Sequence, residues 1–156
     1  MSELNLIKIK ITHREIVWQW RNDINTKRLS FNSKSISWEE HILWFDKVLK
    51  DERYKFFIGE INNIPVGIVG FKRLRENNLC YEVNINISPK YRGKGIGKNI
   101  LKIGINNLKD VDKNLESICA NIKSENLASI SLFESLGFVL IKIKKNKHFY
   151  KLLIDN

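Results

Sequence analysis

Residues 81–106, YEVNINISPKYRGKGIGKNILKIGIN, decide the fold. Tyr81, Val83, Ile85 and Ile87 alternate with Glu82, Asn84 and Asn86, a period of two that predicts a strand with one apolar and one polar face. Ser88-Pro89 ends the strand, because proline has no N–H to give to a sheet ladder. Arg92-Gly93-Lys94-Gly95-Ile96-Gly97 comes next, and then a helix in which Ile96, Ile100 and Ile103 recur at helical spacing. Glycines let the main chain pass close to a ligand. The first N–H groups of the helix lack intrahelical partners and stand at the positive end of its dipole. Together these make an anion cradle suited to a pyrophosphate, with Arg92, Lys94 and Lys98 adding charge.

Two other phosphate loops are excluded. No Gly-Lys-Ser/Thr occurs, so this is not a P-loop. No acid follows about twenty residues on at the end of a second strand, so it is not a dinucleotide fingerprint. For the loop alone, a glycine-rich turn that merely caps a helix is the competing reading.

At 156 residues the chain is expected to be one domain, 1–156, and a hydrophobic content of 43% excludes a disordered chain. No run of about eighteen apolar residues suggests a membrane span. The start, MSELNLIKIKIT, lacks the pattern of a signal peptide, so a cytoplasmic location is expected. Cys80 and Cys119 lie in apolar, strand-like runs and read as buried thiols of a reducing compartment. His13, His41 and His148 show no metal-ligand spacing, and no metal is expected. The net charge of +10 fits a polyanionic ligand, but lysines are scattered, with one cluster at residues 142–147. No interleaved aromatic–basic ladder runs along the chain, so nucleic acid ranks last among partners. The oligomeric state stays open, a homodimer included.

In chain order, residues 6–11 read as an edge strand. Thr12 with Glu15 reads as a capping box for a helix over residues 14–20, followed by a polar loop at Arg21-Asn22-Asp23. Ser37-Trp38-Glu39-Glu40 is a second capping box, opening a helix of about thirteen residues. Trp38, Ile42, Phe45 and Leu49 share one face of it; His41, Trp44 and Val48 lie on an adjoining stripe. Residues 56–60 and 64–71 are strands joined by a short hairpin, with Gly67 and Gly70 marking bulges or a close ligand approach. Residues 109–114 read as a connector and 115–122 as a strand. A helix over 127–136 stops at Gly137, and strands at 138–143 and 149–154 end the chain.

The strand–RGKGIG–helix unit resembles the acetyl-coenzyme A loop of the GNAT N-acetyltransferase family, whose pattern is Q/R-x-x-G-x-G/A. The segment at residues 126–138, NLASISLFESLGF, resembles the same family's second signature, N-x-x-A/S-x-x-L-Y/F-x-x-x-G-F. The likeness covers about residues 7 to 154. It implies an α/β (α+β) fold of order β-α-α-β-β-β-α-β-α-β-β. The sheet would be mixed, mostly antiparallel, flanked by helices and splayed between its fourth and fifth strands, with acetyl-CoA in the splay. Ile85, Asn86, Ile87, residues 92–98 (Arg92, Gly93, Lys94, Gly95, Ile96, Gly97, Lys98), Asn126 and Phe133 would hold it.

A narrower likeness runs through Trp20-Arg21-Asn22, Ser30 and the stretch from Ile36 to Phe45. It is similar to acetyltransferases of nucleotide-linked amino sugars in the pseudaminic and legionaminic acid pathways. It implies a UDP-linked amino sugar as acceptor, with Arg21, Asn22, Phe31, His41 and Trp44 as its contacts. Ribosomal-protein N-terminal acetyltransferases share parts of it, so a protein acceptor is the alternative, and a non-catalytic acyl-CoA-binding module a third reading.

The implied chemistry is attack of a neutral amine on a thioester, which needs a proton acceptor. Glu82, on the polar face of the strand with Asn84 and Asn86, is the candidate base. Main-chain N–H groups near Ile85 and Asn86 would face the oxygen on which charge develops. The family often places an acidic tyrosine where this chain has Phe133, and some nucleotide-sugar relatives carry an acid where it has Asn121. The group that protonates the leaving thiolate is therefore open, with Ser131 or water as candidates.

Overall fold

The computed structural model describes residues 3–155. Its strands are β1 (Leu4–Lys8), β2 (Tyr54–Ile61), β3 (Ile64–Arg73), β4 (Cys80–Ile87), β5 (Ser117–Lys123), β6 (Val139–Lys144) and β7 (Lys147–Leu153). Its helices are α1 (Arg14–Arg21), α2 (Ile24–Leu29), α3 (Trp38–Lys50), α4 (Ile96–Val111) and α5 (Leu127–Ser135). The strands make one sheet in the order β1-β2-β3-β4-β5-β7-β6. Every neighbouring pair is antiparallel except β4–β5, which is parallel. The expected fold class is the observed one, with one helix more than expected, α2.

β4 keeps its predicted alternation. Tyr81, Val83, Ile85 and Ile87 pack into a core with Ile100, Leu101, Ile105 and Leu108 of α4 and with Ile118, Ala120 and Ile122 of β5. The second core, on the opposite face of the sheet, joins Val17 and Trp20 of α1 and Phe45 and Val48 of α3 to Ile58 and Ile68. Fully burying each such aliphatic or aromatic side chain contributes roughly 1.5–3 kcal/mol. Glycines bring α4 onto the sheet: a Cβ on Gly104 would meet Val69 at 3.0 Å and Phe71 at 3.3 Å.

Several local expectations are corrected. Thr12 caps nothing; a 3₁₀ turn at Ile11–His13 precedes α1, and the Lys10 amide donates to Nδ1 of His13 at 3.0 Å. α3 buries His41 and Val48 of one expected stripe and Phe45 of the other. α4 buries Ile100, Leu101, Gly104, Ile105 and Leu108, a wider stripe than Ile96-Ile100-Ile103, and runs on through the expected connector to Val111. The close approach at Gly67 and Gly70 is made by side chains: added Cβ atoms would meet Ile100 and Ile87 at 2.9 Å and the Phe56 ring at 2.3 Å. Cys80 is buried, whereas Cys119 is half-buried. Asn62 and Asn63 make the β2–β3 turn with φ of 52° and 64°, the hand that suits a two-residue hairpin. Among the described residues, no helix is long and apolar enough to cross a membrane, and no His/Cys/Asp/Glu group could hold a metal ion.

Candidate active site

β4 and β5 pair over only three residues, Cys80–Ser117, Tyr81–Ile118 and Glu82–Cys119. Beyond Glu82 the strands diverge, and a cavity of about 850 Å³ opens between them. Residues 83–87 of β4 and 120–123 of β5 form its walls. The divergence leaves the β5-facing main-chain groups of β4 without a ladder partner past Glu82.

The glycine loop closes one end. Gly93 and Gly95 have φ of +75° and +78°, the left-handed region that L-residues enter at a cost of about 1–2 kcal/mol. Nothing lies within 4 Å of where their Cβ atoms would stand, so the loop is open toward the cavity. α4 starts immediately after, at Ile96, which leaves the amides of residues 96–98 without intrahelical acceptors. The protein thus presents free donors, a helix dipole and an open, Cβ-free approach at one spot, and the Lys98 side chain lines it. These features fit a diphosphate. Gly97 sits in ordinary contact with Ile87 and Leu132, at 3.5 and 3.6 Å from an added Cβ.

The sequence-derived cofactor residues Ile85, Asn86, Ile87, Arg92, Gly93, Gly95, Ile96, Gly97, Lys98, Asn126 and Phe133 all line this cavity, whereas Lys94 does not. Lys94 lies over the Tyr91 ring at 5.6 Å. Asn126 caps α5, accepting from the Ser129 amide at 3.2 Å. Phe133 is buried edge-on against Phe138, with ring centroids 4.9 Å apart. The Arg92 side chain turns away from the cradle. It donates to the Ile87 carbonyl at 3.0 Å, to Asp23 Oδ2 at 2.9 Å and to Thr26 Oγ1 at 2.8 Å.

Those bonds fasten α2 across the opening. Asp23 caps α2 through the Thr26 amide, and Thr26 donates to Asn86 Oδ1 at 3.2 Å. At the other end Lys123 of β5 donates to the Arg28 carbonyl at 3.0 Å. α2 is therefore a strap tied to both splayed strands, and Asn25, Thr26, Arg28, Leu29, Ser30 and Phe31 line the cavity from it and its C-terminal extension. Sequence reasoning missed this strap, its residues Thr26 and Arg28, and its anchor Lys123 on β5. The available signal was Asp23 three residues before Thr26, an N-cap pattern within a stretch read as loop.

Glu82 stands at the vertex, where β4 and β5 part. Its Oε2 accepts from Asn121 Nδ2 at 2.6 Å. Asn84 and Asn121 line the cavity; Glu82 lies one step behind them. Ser131 is exposed and lines the α5 side.

Of the sequence-derived acceptor residues only Phe31 reaches the cavity. Arg21, His41 and Trp44 do come together, between α1 and α3. The Arg21 guanidinium lies 4.1 Å over the Trp44 ring and its Nη1 donates to His41 Nδ1 at 3.0 Å. His41 Nε2 donates to the Arg14 carbonyl at 2.7 Å. Because arginine only donates, this fixes a neutral His41 protonated on Nε2. Burial pushes its pKa down, and the Arg21 and Arg14 charges push the same way, against the bond to Arg14. Burial also lowers the Arg21 pKa, with Glu40 opposing. Asn22 bonds the main chain of Ile36 twice, at 2.9 and 2.7 Å.

A splayed parallel pair, a glycine cradle on the following helix and a strapped cavity define a coenzyme-binding α/β enzyme fold. Residues 15–138 match the model of the Acetyltransferase (GNAT) family, and the chain belongs to that family. It is 29% identical over 114 residues to the L-amino acid N-acyltransferase MnaT of Escherichia coli, covering 70% of this chain and 64% of that protein. The chain thus spans under two thirds of the length of MnaT. It is 23% identical over 154 residues to the acetyltransferase PseH of Campylobacter jejuni, covering 96% and 90%. A solved domain from Methanocaldococcus jannaschii superposes with a TM-score of 0.84 at 27% identity, over 99% of this chain and 100% of that one.

Proposed function

We propose that the protein transfers an acetyl group from acetyl-CoA to the primary amine of a UDP-linked amino sugar. Bound acetyl-CoA supplies the thioester; the chain supplies position, donors and a base. The amides of residues 93–98 hold the diphosphate, and the free main-chain edge of Ile85–Ile87 pairs with the pantetheine amides as an added strand would. The same edge offers N–H donors where negative charge develops. Glu82, fixed by Asn121, takes the proton from the acceptor ammonium, directly or through water. The acceptor enters from the α2 side, where Phe31, Arg28 and Lys123 stand.

The observation that carries the choice of acceptor is electrostatic. Among the described residues, no carboxylate lines the cavity, whereas Arg28 and Lys123 line it on the acceptor side, apart from Lys98 in the cradle and Arg92 paired with Asp23. A polyamine would find no counter-charge there, while an acceptor bearing phosphates would. The test is acetyl transfer measured side by side on a UDP-linked 4-amino sugar, a free amino acid, spermidine and a basic peptide. Turnover of the sugar nucleotide well above the rest is expected; good turnover of the peptide with none of the sugar nucleotide overturns the reading.

A second reading is N-acylation of a free α-amino acid. It shares the anionic acceptor and is favoured by the likeness to MnaT. The same assay separates the two.

A further inference from the structure

The half-sheet β5-β7-β6 builds on its α2-side face something the chain does not show in sequence. Lys142 of β6, Phe149 of β7 and Asn121 of β5 are register partners and form one row across three strands. Lys144, Lys147 and Lys123 form the adjoining row. The first row ends at Asn121, and the second at Lys123, both of which line the cavity. Phe31, exposed at 47%, overhangs the second row: the Lys147 ammonium lies 4.8 Å from its ring centroid and 5.5 Å from that of Phe149. Lys142 lies 4.7 Å over Phe149. Lys123 is partly neutralised by Glu125 at 3.2 Å; for Lys142, Lys144 and Lys147 no carboxylate among the described residues lies within ion-pair distance.

We propose that this platform is the nucleotide subsite of the acceptor: a nucleoside diphosphate binds with its base against Phe149 and Phe31 and its phosphates on Lys142, Lys147 and Lys123. The inference rests on the reading that the acceptor carries a nucleotide, and it places that nucleotide on β6–β7 rather than on the Arg21–His41–Trp44 cluster. Three physical points carry it. Two aromatic rings share one flexible ammonium between them, and a planar base that displaces it keeps the lysine as a phosphate contact. The face is cationic where a diphosphate needs it. It is also continuous with the cavity: the row through Lys147 ends at Lys123 and the row through Phe149 ends at Asn121, both on the cavity wall. A long nucleic acid is disfavoured by the shortness of the platform, two rows wide and ending in the cavity.

The test is calorimetric titration with UDP of protein first saturated with CoA, so that the glycine cradle is filled. UDP is expected to bind, and Phe149→Ala and Lys147→Glu are each expected to weaken it about tenfold or more, the worth of one base–aromatic stack or one charged contact. Phe149→Trp should retain wild-type affinity, and Lys142→Glu, at an exposed edge position, guards against a misfolded variant. CoA affinity should be the same in all of them. UDP affinity unchanged by Phe149→Ala, Lys147→Glu and Lys142→Glu overturns the subsite while leaving the nucleotide acceptor standing. No UDP binding to the CoA-saturated wild type overturns both, while acetyl transfer to other amines would survive. An oligonucleotide that binds this face far more tightly than UDP, with steep salt dependence, would assign it to nucleic acid and overturn the proposal.

Discussion

Arg92 and Asp23, 69 residues apart in the chain, meet with Nη1 and Oδ2 2.9 Å apart. The first residue of the coenzyme loop thereby holds the first turn of the strap over the acceptor side. The Arg92 side chain and the Gly93–Lys98 main chain belong to the same loop, so the strap is anchored on the loop that forms the cradle.

The first prediction concerns that pair and pH. Burial raises the Asp23 pKa, but hydrogen bonds from Arg92 and the Thr26 amide outweigh it, and the folded carboxyl lies below its ordinary value. A lowered folded pKa gives stability that is present above the unfolded value of about 3.9 and is lost as pH falls through the folded one. Thermal melts should show wild type more stable than Asp23→Asn at pH 6, by about 1 kcal/mol, with the gap closing below pH 4. A gap that does not narrow as the pH falls below 4 would contradict this.

Gly97→Glu should fold normally and lose acetyl-CoA. Its Cβ meets only ordinary contacts, and an acid in the first turn suits the helix dipole. Its carboxylate nevertheless stands where the diphosphate binds. Gly95→Glu should lose acetyl-CoA as well, but with a further cost of about 1–2 kcal/mol in stability because of its positive φ. Calorimetric titration and urea unfolding read the two effects separately; wild-type affinity in either variant would count against the cradle.

Glu82→Gln should lower kcat by about 10²–10⁴-fold with the affinity for acetyl-CoA unchanged. The amide can still accept from Asn121, so the vertex should stay intact and melting should move little. Steady-state kinetics with both substrates varied checks this. A kcat within twofold of wild type would remove Glu82 as the base.

Gly70→Ala should destabilise the protein without touching the site. The added methyl would stand 2.3 Å from the Phe56 ring, which itself is held edge-on against Trp44. Overpacking of this kind costs about 1–3 kcal/mol. The urea midpoint should fall while kcat per folded molecule stays constant; an unchanged midpoint would show that Phe56 yields freely.

The sequence carried the parts of the fold that repeat or that demand a special residue. β4 was legible because Tyr81, Val83, Ile85 and Ile87 alternate without interruption, and the cradle because positive φ at Gly93 and Gly95 requires glycine. Ser37 was legible as a cap. α2 was not, because six residues, INTKRL, carry no repeated apolar stripe and the helix is held by tertiary bonds from Arg92 and Lys123. The direction of the Arg92 side chain was equally hidden: a cation in a phosphate loop invites the reading that it faces phosphate, and only the fold reveals Asp23 beside it. Helix spacing placed His41 and Trp44 on one stripe and the narrower family likeness added Arg21, but the distance of the three from the cavity depends on how α1 and α3 pack. Finally, the aromatic–basic rows of β5-β7-β6 arise from register between strands, which a scan along one chain does not see.

The most direct test of the central claim, that the amides of residues 93–98 grip the diphosphate of acetyl-CoA, is a titration followed by amide resonances. Acetyl-CoA should shift the Gly93, Gly95 and Gly97 amides strongly, while S-acetyl-pantetheine, which lacks the diphosphate, should shift the β4 edge at Ile85 and Ile87 and leave those glycines in place. Glycine amides that respond equally to both, or to neither, would contradict the account.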